Sequence, residues 1–177
     1  MKACLAGSVF GVHPTSRGFG WVVFEHADLP VHWGIASAKE GRNQRLIRRF
    51  ERLLSRNHPS VLVLEEFDGI GPRRVQRIKA LCRSFVQIAS ARGLDVVIYR
   101  RDVVARSLGL GPDASRHDVA TTVAARLDAF DHRFPPKRKP WEAEDPRQSL
   151  FDAAALALTH FVALGVPPPP AHSGAPE

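Results

Sequence analysis

Arg73, Arg74, Arg77 and Lys79 stand just after a Gly69-Ile70-Gly71-Pro72 turn, at what the pattern marks as a helix start. Proline is favoured in the first turn of a helix. Backbone N–H groups and the helix dipole at such a start attract anions, so four cations there suit phosphate. The same turn lacks the third glycine of a dinucleotide fingerprint and the lysine of a P-loop, which argues against a nucleotide cofactor. A second basic group, Lys137, Arg138 and Lys139, lies close to Trp141. It is suited either to gripping a backbone and stacking on an unpaired base or to a plain solvated loop.

Three further residues stand at chemically exposed places. Glu65, followed by Glu66, ends the apolar run Val61–Leu64. Asp152 opens a run of small and aliphatic residues, and His13 ends the first apolar segment. Each has two readings. Glu65 is a cation ligand or a solvated strand-exit residue. Asp152 is a ligand or a first-turn acid favoured by the helix dipole. His13 is a transition-metal ligand or a hydrogen-bonded residue at a strand end. Strand alternation sends Glu66 to the opposite face from Glu65.

The elements that must position these residues follow from periodicity. Leu5–Val12 and Trp21–Phe24 flank a Gly18-Phe19-Gly20 turn as a hairpin, and Val31–Ala36 supplies a third strand. From Arg42 to Arg56, Leu46, Ile47, Phe50, Leu53 and Leu54 recur at helical spacing, leaving arginines on the outer face. That face reads as a solvated surface or a nucleic-acid contact. Val61–Leu64 reads as a strand covered on both sides. A helix carrying Val75, Ile78, Leu81, Phe85 and Ile88 inward ends near Gly93. The strand Val96–Tyr99 and a short helix from Asp102 to about Leu108 come next. Ser115 and Asp118 form a capping-box pattern opening a helix through Leu127. Residues 131–146, rich in proline and charge, form a loop, and a last helix spans about Arg147 to Leu164 with Leu150, Ala154, Leu158 and Phe161 on one stripe. Strands first, then strands alternating with helices, predict an α/β fold. Residues 1–165 read as one domain and residues 166–177 as a frayed, proline-rich tail.

Composition agrees with a globular, polyanion-binding chain. The 177 residues are 44% hydrophobic and 24% charged, with formal net charge +7 and a pI of about 10.2. Nucleic acid is the partner this balance favours over a membrane surface, since there is no apolar run of about 18 residues and no lipidation motif. Cys4 and Cys82 are too few for a disulfide framework and lack CxxC spacing, so both read as small core residues in a reducing, cytoplasmic setting.

Three segments then resemble one family. Gly11-Val12-His13-Pro14-Thr15-Ser16-Arg17-Gly18-Phe19-Gly20-Trp21 is similar to the first-strand motif of RuvC-type Holliday-junction resolvases, in which a strand ends in Asp-Pro-Gly-Ser before a glycine-rich turn. Pro59–Glu66 resembles the family's fourth strand, which ends in a catalytic glutamate. Asp152-Ala153-Ala154-Ala155-Leu156-Ala157-Leu158-Thr159-His160 resembles its final helix, which begins with a catalytic aspartate. The resemblance spans nearly the whole chain. It implies an RNase H-like fold with a mixed five-stranded sheet, an antiparallel meander plus parallel strands, flanked by helices. It also implies a homodimer acting on branched DNA or an RNA/DNA hybrid.

The implied chemistry is phosphodiester hydrolysis with two divalent cations, Mg²⁺ or Mn²⁺, held by carboxylates. Glu65 and Asp152 match ligand positions, and His13 stands where the first aspartate belongs. Ser149 stands where another ligand is usual, leaving Asp145, Glu144 or Glu142 to make up the set. Arg100, Arg101, Arg106, Arg116 and His117 fall where such proteins approach the junction backbone. Two functions follow. One is a metal-dependent, structure-selective endonuclease with His13, Glu65 and Asp152 as catalytic residues and His13, Glu65, Asp152 and Asp145 as ligands. The other is a nucleic-acid-binding module that has lost hydrolysis. Both use Arg73, Arg74, Arg77, Lys79, Arg101, Arg116, Lys137 and Arg138 to hold the nucleic acid.

Overall fold

A computed structural model describes residues 7–38, 43–67, 73–139 and 141–172, with the side chains of Arg73 and Arg74 left undescribed. Cys4, the start of the expected first strand at Leu5, the Gly69–Pro72 turn and the last five tail residues therefore lie outside the described residues. Strands β1 (Val9–Pro14), β2 (Gly18–His26) and β3 (Leu29–Ser37) form an antiparallel meander. β4 (Val61–Glu65) joins β1 in parallel and β5 (Asp95–Tyr99) joins β4 in parallel, giving the order β3-β2-β1-β4-β5. This is the mixed five-stranded sheet expected of an RNase H-like fold.

Side-chain alternation divides the sheet between two cores. Phe10, Val12, Phe19, Trp21, Val23, Leu62 and Leu64 pack against α1 (Asn43–Asn57) and α2 (Arg73–Ala91), with Phe50 and Phe85 stacked at 4.1 Å between ring centres. Val9, Val22, Phe24 and Val63 face the other way, onto α3 (Arg101–Ser107), α4 (Arg116–Ala124) and α5 (Gln148–Ala163). His13 and Glu65 continue the second parity, so both side chains fall on the α5 side.

Two details differ from the periodic reading. A single apolar stripe is expected on α5, yet every residue from Gln148 to Phe161 is buried, because the sheet covers one side and α3 and α4 cover others. α4 ends at Ala124 rather than Leu127, and Asp128–Arg133 forms a 3₁₀ segment where its last three residues reach into the expected loop. The Ser115–Asp118 capping box is present, with both reciprocal hydrogen bonds. Where composition predicts a frayed tail, the described part runs beside the end of α4. Arg126 donates to the Pro169 carbonyl at 2.8 Å and the His172 amide to the Ala125 carbonyl at 2.6 Å.

α5 comes close enough to the hairpin that two glycines leave no room for a side chain. A Cβ on Gly11 would lie 2.3 Å from the Ala153 carbonyl oxygen, and one on Gly20 would lie 2.2 Å from the Ser149 carbonyl. Both obstacles are backbone and cannot turn aside. Gly11→Ala and Gly20→Ala are therefore expected to destabilise the protein by about 3 kcal/mol or more, at or beyond the upper end of usual overpacking costs. Gly111→Ala, which meets nothing within 4 Å, is expected to stay within about 0.5 kcal/mol of wild type. Urea unfolding midpoints for the three variants check this.

Candidate functional site

The end of the sheet where β1 and β4 stop, with the first turn of α5 lying across it, gathers three residues far apart in sequence. His13 is 4% exposed and Asp152 5%. The His13 Nε2–H donates to Glu65 Oε2 at 2.8 Å, and His13 Nδ1 lies 3.9 Å from Asp152 Oδ2. Nδ1 is buried and has no hydrogen-bond partner among the described residues. Phe67 closes one side of the imidazole, 5.8 Å away between ring centres.

Each acid has its countercharge from the protein. Arg116 is the first residue of α4, and its Nε and Nη2 both donate to Asp152 Oδ2, the Nε at 2.9 Å, while its Nη1 holds Glu144. Gln148 donates to Asp152 Oδ1 at 3.3 Å and to the Arg116 carbonyl at 2.8 Å. Arg101 stands 4.0 Å from the other oxygen of Glu65. Burial alone would raise the Glu65 carboxyl. The hydrogen bond and charge of His13, with the charges of Arg101 and Arg116, outweigh burial and hold it below the usual carboxylate range.

The other expected ligands lie outside this cluster. Asp145 is gripped by Arg147 through its Nε and Nη2 and by the Arg147 amide, and the guanidinium keeps its carboxyl low. Ser149 donates its hydroxyl to the Pro146 carbonyl at 2.6 Å. Glu66 is exposed past the end of β4, and its amide donates to the Tyr99 carbonyl. Among the described residues no group of three or more histidine, cysteine or carboxylate side chains is placed to hold a metal ion.

A pair of divalent cations does not fit these donors. One nitrogen replaces a carboxylate, a serine offers only a hydroxyl already engaged, and a guanidinium occupies the Asp152 oxygen that a cation needs. Two dications held by two carboxylates next to a fixed cation would face uncompensated repulsion.

The expected basic residues surround this end of the sheet unevenly. Arg101 borders a small pocket with Glu65, Asp152, Pro112 and Ala114, while Arg116 is bound to Asp152 and Glu144. Arg138 and Arg17 line a groove with Thr15, Ser16 and Ser149, and Arg77 reaches the Ser16 carbonyl at 3.4 Å. Lys79 lines an open groove with Glu65, Glu66, Phe67 and Arg83. In that groove burial, then the Glu65 charge, pushes the Cys82 thiol up to about 12, so Cys82 is an unreactive thiol. Lys137 adds a minor pull to Asp118, whose carboxyl is lowered first by its Ser115 hydrogen bonds. Lys139 sits 5.9 Å over the ring of Trp141, which is 79% exposed.

Sequence reasoning missed Arg116 and Gln148 as partners of Asp152. A signal existed for the first. A cation in the opening turn of a helix opposes the dipole, so it calls for an acid beside it.

The sheet order and the two helical layers give an RNase H-like α/β fold. Within that class the fold is that of the RuvC-type resolvases. The Thermus thermophilus RuvC structure matches with a TM-score of 0.66 at 21% identity, covering 92% of this chain and 99% of that one. T. thermophilus RuvC in complex with a Holliday junction substrate matches at 0.67 and 22% identity, covering 93% and 99%. The yeast mitochondrial Holliday junction resolvase Ydc2 matches at 0.60 and 12% identity, covering 85% and 76%. No protein-family model and no curated protein matches the sequence.

Two stability measurements probe the cluster. Arg116→Gln leaves a buried carboxylate without its cation and is expected to cost about 3 kcal/mol, seen as a lowered urea midpoint at pH 7. Glu65 has a depressed pKa in the fold, so its contribution is complete above its unfolded pKa and is lost as pH falls through the folded value. Glu65→Gln should therefore flatten the fall in stability below about pH 4. A profile parallel to wild type between pH 3 and pH 7 would remove the ionised Glu65–His13 bond from the account.

Proposed function

We propose that this protein binds branched DNA on a resolvase fold and that its acid cluster is neutralised from within, so that it holds a junction without hydrolysing it. The observation that carries the reading is the pairing of both acids with protein cations or donors, Asp152 with Arg116 and Glu65 with His13. Branched DNA is supported by the fold, by the net charge of +7, and by Arg17, Arg101 and Arg138 around the strand ends. Phosphate contacts of this kind set register and add affinity without reading base sequence. A homodimer belongs to the proposal. Ile78 and Val86 on α2 are only half-buried, and Ile98 on the neighbouring edge strand is 51% exposed.

A second reading, a Mg²⁺- or Mn²⁺-dependent endonuclease, is favoured by one observation. The unpartnered His13 Nδ1 faces Asp152 Oδ2, and a nitrogen there would shift preference from Mg²⁺ toward Mn²⁺.

The two readings part in one experiment on labelled four-way junction, duplex and RNA/DNA hybrid, with Mg²⁺ and Mn²⁺ tested separately. The expected result is junction binding that weakens steeply with salt, with no cleavage by wild type. Arg101→Gln with Arg138→Gln should weaken binding to all sequences alike and lower the logarithmic salt slope by about 2. His13→Asp combined with Arg116→Gln restores a carboxylate and frees Asp152, and is the variant expected to gain metal-dependent cutting. Wild-type cleavage that disappears in Glu65→Gln would replace the first reading with the second. A flat salt response would remove nucleic acid as the partner.

A further inference from the structure

The other helical layer carries a charge pattern that the acid cluster does not explain. α1 is seated through Leu46, Phe50, Leu53 and Leu54 on the sheet face away from α5. Its outer face carries Arg45, Arg48, Arg49, Arg52 and Arg56, all exposed. None of the five pairs with a carboxylate among the described residues, and Glu51 is the only acid on the helix. Arg92, from the end of α2, is anchored beside them, donating to Ser55 Oγ at 2.8 Å and to the Glu51 carbonyl at 3.4 Å.

A face that serves only for solubility mixes both signs, because like charges three and four residues apart disfavour the helix. Here the repulsion has no return among the described residues. All five cations are arginine, whose planar fork matches phosphate oxygens in pairs, and none is lysine. Arg45, Arg49, Arg52 and Arg56 follow 4-3-4 spacing and form one stripe about 16 Å long. At about 3.4 Å per base pair, that is roughly five base pairs of duplex. The stripe lies beside edge strand β3, where Arg45, Arg48, Arg49 and Arg52 line an open groove with Ile35, Ala36 and Ser37. The helix beneath is fixed by stacked phenylalanines, so the stripe is presented on a rigid base.

We propose that the α1 arginine stripe is a second nucleic-acid surface, separate from the strand-end cluster, that takes the phosphate backbone of a duplex arm without regard to sequence. This rests on the reading that the protein binds branched DNA.

The test measures binding by fluorescence anisotropy against salt for duplex and four-way junction. It compares wild type, Arg101→Gln with Arg138→Gln, the quadruple Arg45→Gln, Arg49→Gln, Arg52→Gln, Arg56→Gln, and the same four changed to lysine. At about 0.9 per phosphate contact, the glutamine quadruple should have a salt slope smaller by about 3.6 on duplex and junction alike. The lysine quadruple should stay within about 1 of wild type, since it keeps the charge. An unchanged slope in the glutamine quadruple, with a reduced slope in the Arg101/Arg138 variant, would overturn this inference and leave the proposed function standing. Wild type failing to bind either DNA would overturn both. A glutamine quadruple that keeps DNA binding but loses binding to phosphatidylserine-containing vesicles would assign the stripe to a membrane surface and overturn the inference.

Discussion

The backbone contact between α5 and the β1–β2 hairpin governs the rest of the molecule. Gly11 and Gly20 present no side chain to the helix, so the carbonyls of Ala153 and Ser149 come to rest almost on the sheet. That approach brings Asp152, one turn into α5, over the end of β1, where His13 points from the same face. β4 then needs only to lie parallel to β1 for Glu65 to arrive on that face too. Small residues at Ala153, Ala154, Ala155 and Ala157 let other elements close over the helix. A wider spacing would separate the three side chains and leave α5 with exposed apolar faces.

Once two carboxylates are buried at a sheet end, their charge has to be met. Divalent cations are one answer to such charge, and this chain contains another. Histidine at position 13 contributes a donor to Glu65 in place of a third negative charge. Arg116 contributes a fixed positive charge that binds Asp152 and Glu144 together. Both features act in the same direction. They lower the negative potential that would draw cations, while Arg101, its side chain nearly half exposed, leaves positive charge at the rim where a phosphate would approach. On the proposed reading the cluster holds a backbone, because His13 and Arg116 meet the charge of the two acids from within the chain.

Much of this was legible from residue patterns, for physical reasons. Alternation and β-branched runs mark β1, β2 and β4, and the 3.6-residue period marks α1, because those elements have one clear inside. The capping box at Ser115 is a local hydrogen-bond pattern and shows in local sequence. α5 is harder, since periodicity reports one apolar stripe and cannot say how many neighbours cover the other sides. The grouping of His13, Glu65 and Asp152 was legible only through resemblance to a known fold, because it depends on strand order. The partners of the acids were missed, though a cation opening α4 was a signal for one of them. Arg116 reads as a contact to nucleic acid, and Asp145 reads as a metal ligand although Arg147, two residues away, takes it.

The most direct measurement is Mn²⁺ binding to the whole protein by titration calorimetry at neutral pH. An internally neutralised cluster predicts no saturable binding to wild type at millimolar Mn²⁺. It also predicts that saturable binding appears when His13→Asp and Arg116→Gln are combined, which restores a carboxylate and releases Asp152. Two-site saturable binding to wild type that is abolished by Glu65→Gln would contradict it.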